Sequence, residues 1–165
     1  MLGLSPELRA QTTIKYDLAF RHWGQFYAPW QDWHWWKAQG MAESDLNPSA
    51  RSRCGAIGIM QLMAATAAGL KVDPYDVEGN IQGGIKYDAS LLRMWARAAD
   101  AGEQRDLAFA SYNAGGGNVG KAVVMAGAPP RWSAARVFLP RVTGAHSGET
   151  VNYVARIRGF YGQIR

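Results

Sequence analysis

The sequence predicts a mainly α-helical single domain, residues 1–165, with a short irregular or hairpin segment after its second helix. Three observations carry this. The 165 residues are 48% hydrophobic and 19% charged, a globular composition at a length that fits one domain and buries about two-thirds of its unfolded surface. Capping residues recur ahead of apolar residues spaced three and four apart. Between residues 45 and 61, Asn, Pro, Ser and Gly crowd together and argue against regular helix. No internal repeat or low-complexity linker divides the chain.

The elements follow in order. Ser5-Pro6-Glu7 sets a capping residue, a first-turn proline and an early acid in line, so a first helix runs to about Trp23. Gly24 and Pro29 mark a loop. Asp32 caps a second helix, which carries Trp33, Trp35 and Trp36 and ends near Ser44. A small hairpin is expected within the irregular segment, then a short helix over 64–69 and a turn at Asp73-Pro74. Asp76 caps the best-patterned helix, whose Val77, Ile81, Ile85, Leu92 and Trp95 share a face. Another helix runs from Glu103 into Tyr112 and breaks at the NAGGG of 113–117, and 118–126 reads as helical. Ser147 caps a last helix with Val151, Val154, Arg158, Tyr161 and Ile164 on one face.

Charge and special residues exclude several classes. The net charge is +5, from thirteen Arg and five Lys scattered without a block of like charge, which argues against a nucleic-acid-binding arm. Cys54 is the single cysteine, so no intrachain disulfide forms. His22, His34 and His146 are isolated from one another, so neither a metal site nor a cofactor is expected. The N-terminus lacks the apolar core of a signal peptide. The most apolar stretch, 56–70, contains Gln61 and Thr66 and is too short to span a bilayer, so no stable membrane anchor is expected in this chain. Trp23, Trp30, Trp33, Trp35 and Trp36 crowd ahead of Ser44. Packing between helices, stacking on sugar and contact with a membrane interface all suit them, and Trp35 and Trp36, being adjacent, do not both face one cleft.

Glu43 stands at the end of that Trp-rich helix. As a surface acid there it would sit badly with the helix dipole. Set among apolar groups such as Trp35, Trp36, Ile59, Leu62 and Met63, it would hold a proton at neutral pH and serve as a general acid.

The residues after it carry a resemblance. Glu43, Ser44, Asn47, Pro48, Ala50, Ser52, Gly55, Ala56, Gly58, Met60, Gln61 and Met63 fit the spaced pattern E-S-x-x-N-P-x-A-x-S-x-x-G-A-x-G-x-M-Q-x-M. SYNAG at 111–115 and ETVNYV at 149–154 fit two further blocks in the same order. The chain resembles the soluble lytic transglycosylase domain, a lysozyme-like fold related to goose-type lysozymes that cleaves peptidoglycan. The resemblance implies Glu43 as the sole catalytic acid and base. It implies Ser52, Gln61 and Met63 along the cleft, Tyr112 and Asn113 near the reacting sugar, and Glu149 and Tyr153 as support from the last helix. Ser111 departs from the family's usual Ala, and Cys54 stands where Pro, Ala or Ser is usual.

Ordinary glycosidases use two carboxylates. Here the nearest acid, Asp45, would lie roughly 200° around a continued helix, and QLMAATA at 61–67 lacks the water-positioning aspartate of goose-type enzymes. The resemblance therefore implies non-hydrolytic cleavage of the MurNAc–GlcNAc β-1,4 bond, leaving 1,6-anhydro-MurNAc ends. A hydrolytic muramidase and a non-catalytic peptidoglycan-binding module are the competing classes. The expected partner is the peptidoglycan glycan strand, met by a monomer in the periplasm or outside the cell. With no export signal in view, a phage lysis enzyme released by a holin or carried in the virion is favoured as the source over a bacterial remodelling or secretion-associated enzyme, whose catalytic domain would read the same.

Overall fold

The computed structural model describes residues 14–164, so the predicted helix start at Ser5 lies outside the described residues. Among these residues the helices are α1 (Asp17–Tyr27), α2 (His34–Ser44), α3 (Ala64–Leu70) and α4 (Val77–Met94). They continue with α5 (Ala101–Ala114), α6 (Gly116–Ala126), α7 (Trp132–Thr143), a 3-10 turn (Gly144–His146) and α8 (Ser147–Ile164). Two compact units result. One comprises residues up to 86 with those from 160 onward, and the other residues 87–159.

The first unit is built around α2. Trp35, Trp36, Ala38, Gly40 and Ala42 are all buried, so this helix is covered on most sides and draws its stability from packing rather than propensity. Asp32 caps it as the sequence predicts, its Oδ1 accepting the His34 N–H at 3.1 Å. Lys37, almost fully buried, is matched by Asp17 of α1 at 2.6 Å, which keeps its charge compensated. Trp35 stacks on Tyr161 of α8 with ring centroids 3.6 Å apart, and the Tyr161 hydroxyl donates to Asp32 Oδ2 at 2.9 Å. Burial alone would push the Asp32 carboxyl up, but the backbone N–H and ring of His34 and the Tyr161 hydroxyl hold it below its usual value. Of the Trp-rich run, then, Trp35 and Trp36 are interior, while Trp30 is exposed.

Gly24 corrects one expectation. It lies inside α1, which continues to Tyr27, rather than in a loop. A Cβ there would come within 2.9 Å of Trp36 Cδ1, so this glycine serves close approach, not turning. The same device recurs on α4, where Cβ atoms at Gly83 and Gly84 would meet Leu62 and Met60 at 2.7 Å. The expected hairpin reduces to two isolated antiparallel bridges, Arg51 with Ile57 and Ile57 with Leu62.

In the second unit, α5 runs from Ala101 to Ala114, capped by Asp100 accepting the Glu103 N–H at 2.9 Å. It breaks at Gly115, φ 85°, as the glycine run predicts. Helix α7 is absent from the sequence reading; it holds Pro140 within it, and Arg131 before it offers no side-chain cap. Its cap comes from α5 instead: Glu103 accepts from the Ser133 N–H at 3.0 Å and hydroxyl at 2.6 Å. Trp132, Ala135 and Leu139 then bury one face.

The face of α8 also differs from expectation. Ser147, Thr150, Tyr153, Val154 and Ile157 are its buried residues, and only Val154 belongs to the predicted line. Arg158 stays over half exposed because it reaches across to Asp106 of α5, donating from Nε at 3.1 Å and from Nη2 to the other carboxylate oxygen. Burial pushes the Asp106 carboxyl up, and the Arg158 guanidinium offsets only part of that.

Two predictions follow from this packing. With its pKa raised, Asp106 binds a proton more tightly folded than unfolded, so its charge costs stability as pH rises from the ordinary carboxylate value through the raised one. Arg158→Met should therefore destabilise by about 3 kcal/mol at neutral pH and by much less near pH 4. Asp106→Asn, which leaves only a half-solvated guanidinium, should cost less; urea melts of both variants against pH measure this. Gly84→Ala should destabilise by about 1–3 kcal/mol through overpacking against Met60, despite a helix-propensity gain of about 1 kcal/mol. Met60→Ala in the same chain should relieve part of that loss.

Candidate active site

Glu43 occupies the last turn of α2 in the first unit and is neither buried nor fully exposed. What fixes the turn is its ending. Asp45 does not extend the helix but turns left-handed at φ 55°, with Leu46 following at φ 59°. The N–H groups of both reach back to the Gly40 carbonyl, that of Leu46 at 3.3 Å, which satisfies helix-end acceptors. Leu46 is driven inward, and a Cβ on Gly40 would stand 3.0 Å from its side chain and from Phe20.

Ser44 then fastens the helix end to the loop beyond. Its hydroxyl donates to the Ile59 carbonyl at 2.9 Å and accepts the Asn47 N–H at 3.1 Å. The loop itself is pinned from α4 by Asn80, which is buried. Asn80 Oδ1 accepts the Met60 N–H at 2.8 Å, and its Nδ2 donates to the carbonyls of Ile57 at 2.8 Å and Pro74 at 3.0 Å. Gly58, φ 75°, must pass so close that a Cβ would lie 2.6 Å from Asn80 Nδ2. Neither Ser44 nor Asn80 stands out as functional in the sequence. The sequence signal for the docking of this loop on α4 is the mid-helix pair Gly83-Gly84, costly unless something packs against it, and Leu62 and Met60 do so.

Ser52, Gln61 and Met63 belong to this unit as well. Ser52 is exposed and its Oγ accepts the Ala56 N–H at 2.9 Å, shaping the 52–56 turn. Gln61, left-handed at φ 46°, donates from Nε2 to the Gly58 carbonyl at 2.8 Å. Both side chains thus order the loop. Met63 is 45% exposed, so it is a surface residue and not part of the core. Ile59 and Leu62 are interior.

The other acids here have structural employment. Asp17 pairs with Lys37, Asp32 with His34 and Tyr161, and Asp73 and Asp76 accept backbone N–H groups of Tyr75 and Gly79. Asp45 and Glu78 face solvent.

Tyr112, Asn113, Glu149 and Tyr153 belong to the second unit. Tyr112 lies in the last turn of α5, half-buried, its ring 5.2 Å from that of Tyr87. Asn113 Oδ1 accepts the Thr150 hydroxyl at 2.7 Å, joining the end of α5 to the start of α8. Exposed Glu149 lies in the first turn of α8, and with Asn113, Asn118, Thr143, His146 and Thr150 it lines a cavity of about 340 Å3. Tyr153 is buried, a core residue of α8. Ser111 uses the hydroxyl that the usual Ala would lack, accepting Trp95 Nε1–H at 2.9 Å.

Relatives bear on this arrangement. The chain is 33% identical over 170 residues to Membrane-bound lytic murein transglycosylase F of Stutzerimonas stutzeri, an overlap of 92% of this chain and 34% of that protein. It is 35% identical over 157 residues to the protein of the same name from Shewanella halifaxensis, covering 84% and 32%. The chain thus spans about a third of the length of these curated relatives. In fold it is similar to an inactive mutant of lytic transglycosylase Slt from Pseudomonas aeruginosa, with a TM-score of 0.70, 22% identity, and 91% of this chain against 24% of that one. The 70 kDa soluble lytic transglycosylase SLT70 of Escherichia coli gives a TM-score of 0.61 at 21% identity, covering 95% and 26%. The family model described as Transglycosylase SLT domain matches residues 33–134, a span that holds Glu43, the pinned loop and Tyr112, and the chain belongs to that family.

Proposed function

We propose that the chain is a peptidoglycan lytic transglycosylase that cleaves the MurNAc–GlcNAc β-1,4 bond without water, with Glu43 as its one acid and base. The observation that carries this is the setting of Glu43. It sits on a buried helix whose end is tied by Ser44 to the Gly58–Gln61 loop, while the other described acids of the unit cap turns, pair with cations or face solvent. Family membership supports it, as do relatives whose printed names are lytic murein transglycosylases.

The chemistry balances with a single carboxyl. Protonated Glu43 gives its proton to the glycosidic oxygen as the bond from the MurNAc anomeric carbon breaks. The 2-acetamido oxygen of the same sugar stabilises the positive charge left at that carbon. Glu43, now a carboxylate, takes the proton of the sugar's 6-hydroxyl, and that oxygen closes the 1,6-anhydro ring. The proton leaves and returns to one side chain, and no water is consumed.

On this reading Ser52 and Gln61 present polar groups to the sugar from a loop that they themselves order. Met63 offers an apolar surface, Tyr112 and Asn113 contact the reacting sugar, and Glu149 and Tyr153 support it from α8. One catalytic domain extends over 1–165 and acts as a monomer on glycan strands, with no bound cofactor. Its place of action is the cell wall, in the periplasm or outside the cell, and its source a phage lysis system.

Muropeptides released from purified sacculi, separated by mass, test the assignment. The wild-type chain should yield anhydro-ended products, and Glu43→Gln should lower their rate of release by about a hundred- to ten-thousandfold with an unchanged unfolding midpoint. Products with free reducing ends would transfer the chain to the hydrolytic muramidases. Undiminished release by Glu43→Gln would remove the catalytic role.

A further inference from the structure

Helix α1 turns apolar side chains outward as well as inward. Leu18 is 81% exposed and Phe26 67%. With His22 between them they follow at four-residue steps, which brings them onto adjoining parts of one helix face. Ile14 ahead of the helix is 69% exposed, and Trp30 beyond it 61%. Phe26 is not a loose ring: Trp23 meets it edge-on at 5.9 Å and Tyr27 at 4.9 Å. Gln82 in turn donates to the Tyr27 hydroxyl at 3.0 Å. The unit therefore presents an ordered apolar side chain to solvent.

The charged residues most exposed along this segment are basic. Lys15, Arg21 and His22 are exposed. The sole acid between residues 14 and 31 is Asp17, and it is engaged with the nearly buried Lys37 at 2.6 Å.

We propose that this face of α1 is a peripheral docking surface for an anionic lipid bilayer, with Leu18 and Phe26 entering the acyl boundary and Lys15 and Arg21 meeting the headgroups. An interfacial helix needs that pairing of apolar anchors with basic neighbours, and a tryptophan beside it, such as Trp30, suits the headgroup level. Two other occupants fit less well. Sugar rings stack on aromatic faces, but Ile14 and Leu18 are aliphatic. A second copy paired about a two-fold axis would set the basic residues of one chain against those of the other. The contact is one of surface side chains, and among the described residues no helix is long and apolar enough to cross a membrane. It is independent of the cleavage chemistry.

Cosedimentation of the full chain with vesicles tests it, using phosphatidylglycerol and phosphatidylcholine in equal parts against phosphatidylcholine alone. The wild type and Glu43→Gln should both pellet with the anionic vesicles, less so as salt rises. Leu18→Asp with Phe26→Asp should lower the partition coefficient about tenfold or more, and Arg21→Glu should lower it less. Leu18→Gln with Phe26→Gln repeats the test should the acidic pair unfold the chain. Muropeptide release from a solubilised glycan should be unchanged in the Leu18, Phe26 and Arg21 variants. The proposal fails if the wild type does not pellet with anionic vesicles, or if the double variants pellet as well as it does. It fails also if the variants lose binding to purified sacculi instead, or if the wild type doubles in mass in solution and the variants do not.

Discussion

One amide side chain holds the candidate site segment together. Asn80 is buried on α4, and its Oδ1 and Nδ2 accept and donate along the backbone from Ile57 to Met60 and on to Pro74. A loop with left-handed residues at Gly58 and Gln61 leaves backbone groups that no helix or sheet can pair, and a buried unpaired group costs about 1–3 kcal/mol. Asn80 supplies the missing partners from inside. The approach is so close that Gly58 must lack a Cβ, and Gly83 and Gly84 must do so for Leu62 and Met60. Four small features, three glycines and one asparagine, therefore set where the loop lies.

From that fixed loop the order passes to the helix that carries Glu43. Ser44 ties the end of α2 to the Ile59 carbonyl, and α2 itself is wedged among its neighbours by Trp36, Phe20 and the Trp35–Tyr161 stack. The backbone that carries Glu43 is thereby fixed in place, as the proposed transfer of a proton out and back by one side chain would require. Among the described residues of the same unit, Asp45 and Glu78 face solvent, and the remaining acids other than Glu43 have structural roles. Asp17, Asp32, Asp73 and Asp76 are each consumed in holding a cation, a ring or a turn.

Much of this was legible in the chain. Asp32, Asp76 and the glycine break after Ala114 are local signals, and the structure places caps and helix ends where they point. The spacing from Glu43 to Met63 pointed to a family, and the family match confirms that reading. Other features were not legible. Gly24 looked like a loop because its reason for being glycine, the ring of Trp36, lies twelve residues away in sequence and against it in space. The buried face of α8 could not be inferred from periodicity alone, because Arg158 and Tyr161 are drawn to Asp106 and to Asp32.

The sequence by itself determined the helical class, many helix ends and the family, because caps, breaks and motif spacing act over a few residues. Tertiary structure alone decided the existence of α7, whose first turn is capped by Glu103 from thirty positions upstream. It alone decided that Met63 is surface while Ile59 and Leu62 are core, and that Ser52 and Gln61 order their own loop. The physical reason is the same in each case. A partner distant in the chain satisfies a polar group or fills a space, and local pattern carries no record of which partner that will be.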